Sequence, residues 1–185
     1  MESVEQRNLL ITGGAGFIGS NFTYHHHGES EKTTVLDALT YAGNRSTLQA
    51  LENQPNFQLI EGDICDSQLV EDILTTQQLD TVVHFAAESH VDRSISGPGA
   101  FVQTNVVGTF TLLEAFRRHW EAQGKPEHFR FLHVSTDEVF GSLNADDPAF
   151  SETTSYAPNS PYSASKAGSD HLVRAYFHTY GLPTL

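Results

Sequence analysis

Tyr162 and Lys166 stand four residues apart near the start of a helical stretch, so their side chains share one face. An unperturbed tyrosine has a pKa of about 10 and is a poor base at neutral pH. A neighbouring ammonium and a cationic ring would favour the phenolate and lower that value. The pair then becomes a general base able to take the proton of a sugar or alcohol hydroxyl during hydride transfer. Ser135 and Thr136 lie upstream at the end of an apolar run, where Thr136 can hydrogen-bond the same substrate oxygen. Asp137 and Glu138 follow directly, and acids just past a strand end are placed for function more often than for solvation.

A second group of residues suits a phosphate. Gly13, Gly16 and Gly19 recur at intervals of three in Thr12-Gly13-Gly14-Ala15-Gly16-Phe17-Ile18-Gly19. Such glycines serve a tight turn, a close backbone approach to a pyrophosphate, and close packing of helix on strand. The helix that follows offers free N–H groups and a positive dipole end. The pattern follows an apolar strand and opens a helix, which is the context that gives it meaning. Asp37 ends the next strand, 18 residues after Gly19. A carboxylate there is placed to hydrogen-bond an adenosine ribose, which favours NAD over NADP. Asp63 follows the third strand and reads equally as a cofactor contact or a helix cap. Phe85-Ala86-Ala87 ends the fourth, where small residues let a flat cofactor lie on the backbone.

The elements that hold these residues alternate. Strands are expected at 8–12, 33–37, 57–61, 81–85 and 129–135. Helices are expected over 17–24, over a short segment capped by Asn44 and ending near Leu51, and over 67–74 and 160–180. Val102, Val106, Phe110, Leu113, Phe116 and Trp120 recur at helical spacing and predict one long helix with a single apolar face. Strand–helix alternation means βαβ units, hence a doubly wound parallel-sheet α/β domain of Rossmann type. Its ligand belongs at the C-terminal strand ends, near the switch in strand order. Residues 181–185 read as a helix stop and the first residues of a sixth strand. The expectation is therefore one NAD-binding domain over 1–185, incomplete at its last strand.

Composition narrows the partners. The 185 residues hold 10 Lys+Arg and 23 Asp+Glu, a net charge of −13, which argues against nucleic acid and anionic membrane. Cys65 is the single cysteine, so no internal disulfide forms. It reads as a packing residue. No apolar run reaches membrane-spanning length, and the first residues carry no signal-peptide pattern; a cytoplasmic, soluble protein is expected. No metal is expected. His25-His26-His27 reads as a surface run whose neighbours point apart on a helix, and Glu88, His90 and Asp92 lack a ligand-spaced partner set.

The Gly13–Gly19 turn and Tyr162-Ser163-Ala164-Ser165-Lys166 resemble the extended short-chain dehydrogenase/reductase family. Three further stretches narrow the resemblance to the dTDP-glucose 4,6-dehydratase family. They are Asp37-Ala38-Leu39-Thr40-Tyr41-Ala42-Gly43-Asn44, Ala86-Ala87-Glu88-Ser89-His90-Val91-Asp92-Arg93-Ser94-Ile95, and Ser135-Thr136-Asp137-Glu138-Val139. The resemblance runs from Asn8 to Leu185, covers the N-terminal part of the family's usual length, and implies a substrate domain missing after Leu185. It implies an NAD-dependent carbon–oxygen lyase acting on the nucleotide sugar dTDP-glucose, and a homodimer through the two long helices.

In the implied reaction Tyr162, with Lys166, deprotonates the C4 hydroxyl while hydride leaves C4. Glu138 then removes the C5 proton, Asp137 protonates the departing C6 hydroxyl, and hydride returns to C6. The product is dTDP-4-dehydro-6-deoxy-glucose. Two carboxyls in different environments can hold the different protonation states this needs. The resemblance also implies that Gly13, Gly16, Phe17, Ile18, Gly19, Asp37, Ala38, Leu39, Thr40, Asp63, Ile64, Phe85, Ala86, Ala87, Glu88, Thr104, Tyr162 and Lys166 line the NAD site. Ser89 and Thr136 would touch the sugar nucleotide. Ala38 stands where the family commonly has Lys, and Phe140 where it commonly has Tyr. Epimerases and decarboxylases of the wider family keep the Tyr–Lys pair without the adjacent acids. They stay open as alternatives, as does an NAD-binding piece with no turnover of its own.

Overall fold

The computed structural model describes residues 7–185. Strands β1 (Asn8–Thr12), β2 (Lys32–Asp37), β3 (Phe57–Glu61), β4 (Thr81–His84) and β5 (Arg130–His133) form one parallel sheet in the order β3-β2-β1-β4-β5. The side-chain period of two sends Leu9 and Ile11 to one face, with Val35 and Phe57. Leu10, Leu36 and Val82 go to the other, with Leu113 and Phe116. Both faces are thus covered by apolar packing, as a doubly wound parallel sheet requires. The chain leaves β1 toward β2 and β3, then returns to place β4 on β1's other side. The switch point therefore lies between the C-terminal ends of β1 and β4, where the glycine turn and Phe85-Ala86-Ala87 begin.

The helices are α1 (Phe17–His27), α2 (Ser67–Gln77), α3 (Val91–Ser96), α4 (Pro98–Phe101), α5 (Thr109–Ala122) and α6 (Pro161–Tyr180). Single turns of 3-10 helix cover Arg45–Leu48, capped by the Asn44 side chain, and Asp137–Phe140. α2 is capped by Asp66, whose side chain accepts from the Leu69 N–H. Asp63 instead accepts from the Cys65 N–H, so it is not the cap of this helix. The α6 N-terminus combines Pro161 with a reciprocal Ser160–Ser163 capping box, which fixes the first turn that carries Tyr162.

The expected long helix is interrupted. Val102–Gly108 is a π-helical segment joining α4 to α5. Leu113, Phe116 and Trp120 are buried as the apolar stripe requires, but Val102 and Phe110 are 53% and 46% exposed. The wider i→i+5 turns shift the register, so Phe101, Asn105, Gly108 and Leu112 point inward instead. α3, which sequence periodicity gave no sign of, forms directly after His90.

The last residues lie parallel to β5. The Phe131 N–H donates to the Pro183 carbonyl (2.9 Å), Leu185 N–H to Phe131 (2.8 Å) and His133 N–H to Leu185 (2.9 Å), which makes one isolated parallel bridge at Thr184 where the first residues of a sixth strand are expected. The histidine run divides: His25 is exposed, whereas His27 is buried against Phe57 with its Nδ1 3.3 Å from the Thr33 hydroxyl. The surface reading fails for His27 because α1 extends to that residue and turns it toward β2. Cys65 packs beside the larger core cluster, and burial together with the Asp63 charge pushes its thiol up to about 11.

Candidate active site

A cavity of about 410 Å³ opens at the switch point. Its floor is the glycine turn. Gly13 adopts φ +70°, and a Cβ there would lie 2.6 Å from the Ala86 nitrogen. A Cβ on Gly19 would overlap the Gly13 carbonyl oxygen, so α1 rests on the turn with no side chain between. Gly16 differs. Its backbone is ordinary (φ −79°), and a Cβ would find nothing nearer than the Gly13 oxygen at 3.3 Å, because that side faces the cavity. Gly16 also opens α1 without a side-chain cap, which leaves first-turn N–H groups for a ligand.

Asp37, 8% exposed, stands at the β2 end of the cavity. Its oxygens accept from the Ala15 and Leu39 N–H groups, both at 2.9 Å. The carboxylate thus braces the glycine turn while still lining the cavity. Ala38, Thr40, Asp63, Ile64, Phe85, Ala86, Ala87, Glu88, Ser89 and Thr104 complete this half, with Phe17 and Ile18 from the first turn of α1. Leu39 does not face the cavity. It takes φ +49° and packs its side chain into the cluster around Ile11, so only its backbone serves the site.

Tyr162 and Lys166 line the opposite wall with Val134 and Ser135. Lys166 is 4% exposed, and burial lowers its pKa to about 8 against the opposing charge of Asp170. Its Nζ donates to the Val134 carbonyl at 2.7 Å. The Tyr162 phenol is pushed above its ordinary value, chiefly by burial; the Thr136 hydroxyl opposes this, and the charges of Glu138, Asp137 and Asp170 add to it. The Lys166 ammonium, which donates to the Val134 carbonyl, is not among the groups that shift Tyr162 here. Thr136 caps the 3-10 turn that presents Asp137 and Glu138, its hydroxyl accepting from the Glu138 N–H at 3.3 Å. These three residues do not line the cavity; they continue from Val134 and Ser135, which do.

Three polar residues that sequence reasoning passed over hold the walls together. Asn105 is buried, accepts from the Glu88 N–H (2.8 Å), and donates to the Glu88 carbonyl (2.9 Å) and the Ser165 hydroxyl (2.8 Å). It ties the loop after β4 to α6. His84 is buried between the Thr12 hydroxyl at 2.7 Å and the Thr109 hydroxyl at 2.9 Å, and burial holds its pKa well below the ordinary value. Asp170 lies one turn beyond Lys166 and accepts from Ser135 and Tyr156. A lone polar residue inside an otherwise apolar strand or helix face was the available signal for Asn105 and His84.

The turn without Cβ atoms, the uncapped helix start and the buried carboxylate at the end of β2 fit a dinucleotide. Among the described residues no group of three His, Cys, Asp or Glu side chains is arranged to hold a metal. No helix among them is long and apolar enough to cross a membrane.

The family model described as GDP-mannose 4,6 dehydratase matches residues 10–185. The chain is 60% identical over 178 residues to a dTDP-glucose 4,6-dehydratase of Xanthomonas campestris pv. campestris, covering 95% of this chain and 50% of that protein. It is 52% identical over 188 residues to dTDP-glucose 4,6-dehydratase 1 of Escherichia coli K12, covering 96% and 52%. The chain thus spans about half the length of the curated relatives it matches. Among solved structures, the dTDP-glucose 4,6-dehydratase of Streptomyces venezuelae, crystallised with NAD and TYD, superposes with a TM-score of 0.86 at 47% identity, covering 96% of this chain and 53% of that one. A Brucella ovis UDP-glucose 4-epimerase in complex with NAD superposes with a TM-score of 0.82 at 28% identity, covering 96% and 50%.

Proposed function

The chain belongs to the GDP-mannose 4,6 dehydratase family, and we propose that it binds NAD at the switch point and supplies the proton-transfer groups of a dTDP-glucose 4,6-dehydratase. The observation that carries this reading is convergence. The glycine turn, Asp37 and the Tyr162–Lys166 pair line one cavity, and the Asp137–Glu138 turn follows directly from its wall. The adjacent acid pair favours dehydration over epimerisation, since loss of water requires a second base and acid.

Hydride removal from C4 and its return to C6 are the chemistry a bound NAD contributes. Tyr162 takes the C4 hydroxyl proton, with the Thr136 hydroxyl on the same oxygen. The raised phenol must fall for this step, and the positive end of α6 under Tyr162 acts in that direction. Lys166 buttresses the wall through Val134 and supplies the nearby positive charge. Once C4 is a ketone, the C5 proton is acidified; Glu138 takes it, and Asp137 gives a proton to the departing C6 oxygen. Ser89 holds the sugar nucleotide. Asp37 accepts from the adenosine ribose hydroxyls and disfavours a phosphate there, which selects NAD over NADP.

We assign the protein to the cytoplasm and to a homodimer that covers the exposed Val102, Val107 and Phe110. The test is direct. The protein is titrated with NAD and with NADP, then incubated with dTDP-glucose and NAD in deuterated water. Saturable NAD binding, with loss of one water from the sugar nucleotide and deuterium at C5, is expected. Saturable NAD binding with inversion at C4 and no loss of water would replace dehydratase by epimerase.

A further inference from the structure

Asp170 takes no part in the proton transfers assigned above, yet its carboxylate gathers three elements. The Ser135 hydroxyl donates to Oδ2 at 2.7 Å, and the Tyr156 hydroxyl donates to the same oxygen at 2.9 Å. Oδ1 lies 3.1 Å from His133 Nε2, with the two side chains only 11% and 4% exposed. His133 ends β5, Ser135 leads into Thr136-Asp137-Glu138, and Tyr156 belongs to the loop that returns to α6. That loop is itself stitched to the acid-bearing turn, since the Ala157 N–H donates to the Val139 carbonyl at 3.0 Å.

Tyr162, Lys166 and Asp170 follow one another at intervals of four along α6, so they share a face. Lys166 holds the backbone at Val134 and Asp170 holds the side chain at Ser135. Two successive turns of one helix therefore grip two successive residues of the strand end. We propose that Asp170 is a positioning residue that locks the turn bearing Asp137 and Glu138 to the helix face bearing Tyr162 and Lys166. The inference rests on the dehydration proposed above, in which three proton carriers must address neighbouring carbons of one sugar ring. Groups on a loop drift, and a misplacement of about 1 Å can cost on the order of a hundredfold in rate.

The anchor also carries charge. Asp170 favours the Lys166 ammonium, and that ammonium together with burial keeps His84 on β4 and His133 on β5, which face it, in their neutral forms. Asp137, Glu138 and Asp170 all act on Tyr162 across the same space. Removing the Asp170 charge therefore lowers the pH at which Lys166 loses its proton, whereas removing a hydrogen bond to Asp170 does not.

Asp170→Asn and Tyr156→Phe separate these effects. The first removes the charge at nearly constant shape; the second removes one hydrogen bond and keeps the charge. The readouts are the backbone amide resonances of residues 135–138, the titration of the Lys166 Nζ resonance, and turnover of dTDP-glucose by the NAD-loaded protein. Both variants are expected to displace the amide resonances and to reduce kcat about tenfold with KM nearly unchanged. Only Asp170→Asn lowers the Lys166 midpoint, by about one unit. Wild-type amide positions and a wild-type Lys166 midpoint in Asp170→Asn would overturn the proposal. If that variant does not fold, unmoved amides in Tyr156→Phe overturn it instead. Wild-type protein that binds NAD without dehydrating the sugar would defeat the functional reading alone, because the two resonance readouts still decide the role of Asp170.

Discussion

Gly13→Ala and Gly16→Ala should fail in different ways although the residues sit three apart in one turn. At Gly13 the added methyl meets two penalties. The backbone is left-handed (φ +70°), which costs a non-glycine residue about 1–2 kcal/mol. The Cβ would also lie 2.6 Å from the Ala86 nitrogen and 2.7 Å from its Cα, both backbone atoms that cannot rotate away. Overpacking of this kind costs about 1–3 kcal/mol. The sum, about 2–5 kcal/mol, is a large share of a typical domain's stability and lowers Tm by about 4–20 °C at this size. At Gly16 the backbone penalty is absent (φ −79°) and the packing penalty is smaller, since the nearest atom, the Gly13 carbonyl oxygen at 3.3 Å, has to give by only a few tenths of an ångström. That methyl points where a pyrophosphate would approach, so folding survives and NAD affinity falls about ten- to a hundredfold. Calorimetric melting and NAD titration of both variants settle the matter. A Gly16→Ala protein that binds NAD like the wild type would refute the assignment of the cavity floor. A Gly13→Ala protein that melts within about 1 °C of the wild type would refute the packing on which the magnitude rests.

Four further outcomes follow from the site. Glu138→Gln should stop deuterium uptake at C5 and product formation while leaving NAD binding intact, and Tyr162→Phe should abolish the transient absorbance of reduced cofactor; mass spectrometry and stopped-flow absorbance read these. Lys166 has a folded pKa of about 8 against 10.5 for a free side chain, so between these values the unfolded chain binds more protons and stability rises with pH. Denaturant melts from pH 7 to 10 should show that rise, and Lys166→Met should flatten it. Asn105→Ala strands the Glu88 N–H and carbonyl, and is expected to destabilise by about 1–3 kcal/mol and to weaken NAD binding, read by melting and titration.

Much of the site was legible because it depends on local rules. A glycine triplet between an apolar strand and a helix can do little else, and Tyr162 and Lys166 share a helix face whatever surrounds them. The doubly wound parallel-sheet class could be read too, since alternating strands and helices leave few topologies. What stayed hidden depends on neighbours distant in sequence. The cap of α2 could not be divided between Asp63 and Asp66 until the turn at Cys65 was seen. Leu39 belongs to a motif that lines the site, yet its left-handed backbone rotates the side chain into the core. The partner of the Lys166 ammonium is the carbonyl of Val134, just past the end of β5 and 32 residues away, which no helical periodicity can report. Asp170 was hidden for the same reason, since its donors, Ser135 and Tyr156, come from the segment after β5 and from the loop before α6.

The π segment at Val102–Gly108 has a consequence for register as well as for packing. A π turn accommodates about one residue more than an α turn, so this run holds one residue in excess of α geometry. Losing one residue there would let the run relax to α geometry and rotate everything before it by about 100°. Asn105 would leave its place between Glu88 and Ser165, and Thr104 would leave the cavity. The reading frame of this helix is therefore itself part of the site. Point substitutions can be tolerated along it, but a one-codon deletion removes two wall residues at once while changing neither of them.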